Sequence, residues 1–196
     1  GADDLHSRAM ARFLRDKGTL RVAADGGGEI RGALELAEAW GTPIVIDGAN
    51  HAEGLAAALG GQRASVVFHP PLFTSLPDLG ADWEPPAPDA LRKLRDAGVS
   101  IALSPSAYGR WTWLLESAAA SMAFGLNEEE ALNGVTKTAA EVLGVSDRVG
   151  SLATGRDADF IVIHGNPLDA AASVGQVYIE GEKVWDRTAR AESAEI

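Results

Sequence analysis

Apolar positions return at helical spacing through residues 3–17, where Leu5, Met10 (with Ala9), Phe13 and Leu14 share a stripe, and Gly18 marks the stop. A short strand, Leu20-Arg21-Val22-Ala23-Ala24, follows. Gly26-Gly27-Gly28 breaks it, and residues 29–40 return to helix with Ile30, Ala33, Leu34, Ala37 and Trp40 inward. The alternation then repeats: strand 43–47, helix 52–59, strand 64–69, helix 89–97, strand 100–103, helix 111–124. Ile44-Val45-Ile46 and Val66-Val67-Phe68 are continuously apolar, as parallel strands covered on both faces require. The pattern predicts four strand-helix units joined by right-handed crossovers.

Residues 70–88 are too long for an ordinary connection, are rich in Pro and contain Phe73 and Trp83; they read as a lid or a partner-contacting loop. A helix over 128–143 has Asn127 as its N-cap and Glu130 in capping-box spacing, and Gly144 ends it. Beyond it, 160–163 and 177–184 read as strands, the second with a tight turn at Glu180-Gly181. The expected division is a barrel-like unit over 1–144, a small β element over 145–186 and a polar tail over 187–196.

Composition narrows the function classes. The 196 residues, 46% hydrophobic, are ample for a core. A net charge of −11, with 17 Lys and Arg that read as scattered, argues against nucleic acid or an anionic membrane as partner. The absence of cysteine excludes disulfides, thiolate metal sites and a Cys nucleophile, but leaves the compartment open. No apolar run reaches the length of a membrane span. Gly1 in place of Met reads as a tag remnant or a truncated start.

The run from Asp147 to Ile163, DRVGSLATGRDADFIVI, sets a polar turn with Gly near both ends before an apolar strand. In detail it resembles the C-terminal signature of the metal-dependent amidohydrolase superfamily, closest to its imidazolonepropionase-like branch. The resemblance covers most of 20–185 and implies an α/β fold: the second half of a TIM-like (β/α)8 barrel, then part of the family β-sandwich. It implies hydrolysis of C–N bonds in cyclic amides and imides with a divalent metal. In that register the family's ligands end the fifth, sixth and eighth strands, and fall on Ala23, Gly48 and Ser106. A methyl, a hydrogen and a neutral hydroxyl do not hold a metal ion, so the expectation is a chain without the metal centre, inactive alone.

Two alternatives stand beside it. A barrel mouth ringed by Asp25, Asp47, His51, His69 and Tyr108 can bind a small molecule without transforming it, or Asp47, His51 and His69 can rebuild a metal site. His69, ending a strand, reads first as a histidine bonded to loop backbone. The three glycines at 26–28 lack the phosphate-binding order and read as a turn, while His6 and His164 read as solvated. Ser104 and Ser106 lack a His partner, and Trp111 and Trp113 read as packing or interface residues. A half barrel leaves two open strand edges and an uncovered apolar inner face, which predicts self-association or pairing with a first-half chain.

Overall fold

The computed structural model describes residues 5–71, 85–105 and 113–188. Helix α1 (Leu5–Arg15) leads into β1 (Leu20–Ala24), followed by α2 (Gly27–Trp40), β2 (Ile44–Gly48), a 3-10 turn (Glu53–Leu55) and α3 (Ala56–Gly61). Next come β3 (Ser65–Phe68), α4 (Ala90–Asp96), β4 (Ser100–Leu103) and α5 (Leu114–Ser121). The chain continues through α6 (Glu128–Gly134), α7 (Lys137–Leu143), β5 (Phe160–His164), β6 (Ser173–Ile179) and β7 (Glu182–Asp186).

The first four strands form one parallel sheet in chain order, in a register that places Ala23, Asp47, Val67 and Ala102 side by side. Side chains alternate across a sheet, so that row and its neighbours two residues away share one face. The opposite face carries Ile44, Ile46, Val66, Phe68, Ile101 and Leu103. It packs with Ile30, Leu34, Leu59, Leu91 and Leu94 of the covering helices into the main core. Phe68 is fully buried, its ring meeting Phe124 edge-on at 5.6 Å between centroids.

The face with Asp47 is not left bare, contrary to expectation. Val45, Val67 and Ala102 are buried beneath Ala139 and Val142 of α7. The single helix predicted over 128–143 is instead two, α6 and α7, separated at Val135 and Thr136. Gly134, which ends α6, packs closely on β4: a β-carbon there would stand 2.8 Å from Leu103. The predicted capping box is present, with Asn127 Oδ1 accepting from the Glu130 amide and Glu130 Oε2 from the Asn127 amide, both at 2.9 Å.

One further expectation fails, in α2, and α1 contributes nothing to the core. No residue of α1 is buried, and Leu5, Met10 and Leu14 are 80, 46 and 37% exposed. Trp40, expected inward, is 38% exposed at the end of α2. The strand predicted over 177–184 is the antiparallel hairpin β6–β7, turning at Glu180 and Gly181, both at positive φ; β5 pairs with β6 to complete a separate three-stranded sheet.

Candidate functional site at the carboxyl ends of the strands

The first three strands deliver their carboxyl-terminal residues to one end of the parallel sheet, where side chains from different strands converge. Asp47 stands at the centre. Its Oδ1 lies 2.6 Å from His69 Nε2, and its Oδ2 accepts from Arg21 at 3.0 Å from Nε, with a guanidinium NH2 nitrogen at 2.8 Å. Nδ1 of His69 is 3.1 Å from the Pro105 carbonyl oxygen. Both ring nitrogens thus face acceptors: a ring with one N–H serves one of them, and an imidazolium serves both. The chain Arg21, Asp47, His69, Pro105 joins β1, β2, the end of β3 and the residues after β4.

Partial burial of Asp47 works to raise its pKa. The hydrogen bonds from His69 and Arg21, with their charges, outweigh it and hold the carboxyl below the usual carboxylate range. The group is an ionised anchor with both oxygens engaged. That use of its lone pairs is the opposite of what a metal ligand offers.

Asp25 forms a second junction. Its Oδ1 accepts from the Asn50 side-chain nitrogen at 2.9 Å and from the Asn50 amide at 3.3 Å, while its carbonyl accepts from the His51 amide. These bonds clamp the turn after β2 to the end of β1. Glu29 caps the start of α2 by accepting from the amides of Asp25 and Gly26. A carboxylate therefore occupies the glycine turn where a phosphate-binding loop would want an anion.

His51 is half-buried beyond β2, and no bond from its ring to Asp47 or His69 is present among the described residues. The structure brings together Asp47 and His69 of the five candidates, sets Asp25 in its own junction, and leaves Tyr108 outside the described residues. The bond from His69 to the Pro105 carbonyl is the loop-backbone bond expected from the sequence, whereas Arg21 was missed. Arg21 carries no strong signal in the sequence, because its side chain is half-exposed and an exposed charge needs no partner.

The positions where the resemblance implies metal ligands can be tested for fit. Ala23 offers only a methyl, and Ser106 lies outside the described residues. Gly48 has φ +112°, and a β-carbon built on it would stand 2.5 Å from Asp25 Oδ1 and 3.2 Å from the Ala24 carbonyl oxygen. No imidazole enters there without moving the Asp25 junction and changing the backbone. Among the described residues no group of three or more His, Asp or Glu is gathered to hold an ion. The described residues do not fit the family's metal centre.

Residues 87–184 match the Amidohydrolase family, half of the chain, and the chain belongs to that family. Within it the likeness runs to the imidazolonepropionase-like branch: imidazolonepropionase from Deinococcus radiodurans is 32% identical over 155 residues, covering 74% of this chain and 38% of that protein. The crystal structure of an amidohydrolase from Thermotoga maritima superposes with a TM-score of 0.82 at 31% identity, over 95% of this chain and 48% of that one. An adenosine deaminase from Xanthomonas campestris with bound zinc shares the fold alone, at 17% identity and a TM-score of 0.67, over 96% of this chain and 52% of the other. The chain thus spans about half the length of its solved relatives. Its four parallel strands and their helices are a partial amidohydrolase barrel.

Proposed function

We propose that this chain is the second half of an amidohydrolase-type barrel whose parent chemistry is hydrolysis of non-peptide C–N bonds in cyclic amides and imides, and that it does not perform that chemistry by itself. The observation that carries the reading is Gly48. The strand end that should present a ligand has neither the side chain nor the space for one, because Asp25 lies against it. Ala23, and the engagement of both Asp47 oxygens in hydrogen bonds, support the same reading. The test is to load the purified chain with zinc, manganese or iron, dialyse it exhaustively, and assay cyclic imide hydrolysis. Substoichiometric metal and no turnover are expected. Retained stoichiometric metal with chelator-sensitive turnover overturns the reading and favours a site rebuilt from Asp47, His51 and His69.

A second reading, a mouth that binds a small molecule unchanged, is favoured by the Arg21, Asp47 and His69 array, which presents fixed polar groups at the sheet end without catalytic freedom. Thermal-shift screening of amides, imides and dipeptides separates the two. Stabilisation that survives chelator supports a binding mouth, and none across the set argues against it.

A further inference from the structure

β3 ends on Phe68, and the next residue, His69, sets its imidazole between two oxygens that have no proton to give. Nε2 lies 2.6 Å from Asp47 Oδ1, and Nδ1 lies 3.1 Å from the Pro105 carbonyl oxygen. The Asp47 carboxyl stays ionised against its partial burial, because the bonds from His69 and Arg21 outweigh that burial. A neutral ring carries one N–H, so the nitrogen that lacks it turns a lone pair toward an oxygen. The doubly protonated ring donates to both. Its side chain is 20% exposed, which leaves little water to take the place of a lost protein partner.

The two bonds are unequal. The one to Asp47 is short and meets a full negative charge, whereas the one to Pro105 is longer and meets a neutral carbonyl. That carbonyl also has a second donor, the Ser104 hydroxyl at 3.3 Å, so it is not orphaned when His69 lets go. A ring with a single proton therefore keeps it on Nε2 and releases Pro105. The charged groups around the ring are Asp47 of β2, in direct contact, and Arg21 of β1, which reaches it through Asp47. Among the described residues, Asp25, His51 and Glu53 make no bond to it, and neither do Lys137 and Glu141 of α7, which covers the inner face through Ala139 and Val142. The strand pairing does not depend on the ring, since Phe68 and Leu103 are in register and the Ser104 amide donates to the Phe68 carbonyl at 3.0 Å.

We propose that His69 is a proton-operated tie: doubly protonated, it holds the chain beyond β4 to Asp47 of β2, and on losing its Nδ1 proton to solvent it stays with Asp47 and lets Pro105 go. Histidine is the side chain that changes charge close to neutral pH, so the position of Pro105 against the end of β3 follows pH. One side of the strand-end mouth is set in this way by a single proton. The tie needs no metal, no turnover and no second chain, and it stands whether or not the mouth binds a ligand.

Nuclear magnetic resonance of the 196-residue chain tests it, by following the ring nitrogens of His69 and the carbonyl carbon of Pro105 from about pH 5 to about pH 8. The expected result is two protonated nitrogens at the acid end, a proton on Nε2 alone at the other, and a Pro105 signal that moves with the same midpoint. His69→Gln should abolish the movement at Pro105, which separates the tie from the titration of His51. Asp47→Asn removes the charge that holds the Nε2 proton, and the neutral ring should then divide between its two tautomers. The tautomer is read in the parent chain, so a variant that does not fold leaves that outcome intact. A parent ring that gives up its Nε2 proton and keeps the one on Nδ1 overturns the proposal. So does a Pro105 signal that is indifferent to pH, or one that moves equally in His69→Gln.

Discussion

β4 and β1 are the two edges of one parallel sheet, and the molecule treats them differently. Against β4 lie α5, α6 and α7, with Gly134 pressed to Leu103 and α7 folded over Val67 and Ala102. Before β1 in the chain comes α1, with no buried residue, and the inner-face residues Arg21 and Ala23 are exposed. Residues after the last parallel strand fold back against it, whereas among the described residues β1 is preceded only by α1, none of whose residues is buried. Among the described residues, the β4 side is therefore packed by helices that the β1 side lacks.

Substitutions can break this contrast, beginning with the largest effect. Phe68→Ala, at the centre of the covered side, should cost about 3–5 kcal/mol in urea unfolding, because the site is sealed by Phe124 and cannot collapse freely. Gly134→Val should cost about 1–3 kcal/mol through overlap with Leu103, and loss of α7 protection in hydrogen exchange would localise the damage. Asp47→Asn sits between the two sides and should cost about 1–2 kcal/mol at neutral pH, a figure already reduced for partial exposure. Smallest of all, Leu14→Ser on α1 should change unfolding by no more than about 0.5 kcal/mol at concentrations where the chain is monomeric. A cost like that of Phe68→Ala would show that α1 belongs to the core.

The pH dependence sharpens the middle case. The Asp47 carboxyl is held below the ordinary aspartate range by His69 and Arg21, so in the unfolded chain it takes up a proton at higher pH than in the native one. Its stabilisation is therefore fully present above the unfolded pKa and disappears as pH falls through the lower folded value. Acid unfolding followed by fluorescence should show a shallower loss of stability below about pH 4 in Asp47→Asn than in the parent chain. Identical acid limbs would mean that the hydrogen bonds from Arg21 and His69 do not operate in solution.

Much of the covered side was legible in the sequence because local rules agree there. Continuously apolar strands, the Asn127 and Glu130 capping box and the stop at Gly144 each specify local geometry, and the structure follows them. The fold of α7 onto the inner face was not legible, since Ala139 and Val142 have the spacing of any buried helix and nothing local names the surface they meet. The exposure of α1 was hidden for the complementary reason: Leu5, Met10 and Leu14 announce an apolar stripe whether or not anything lies beneath it. At the sheet end, Asp47 and His69 were readable as candidates from their places at strand ends. Their union with Arg21 was not, because the three are 26 and 22 residues apart and meet only through the parallel register.

Gly48 has a consequence for any route back to a metal-holding mouth. With φ at +112° and the Asp25 carboxylate lying over its α-carbon, the position accepts histidine only after Asp25 releases Asn50 and the turn is rebuilt. Each change made alone loses bonds before it gains a ligand, so the first step is uphill whichever residue is replaced first. A larger side chain at this turn therefore has to be matched by a change at Asp25.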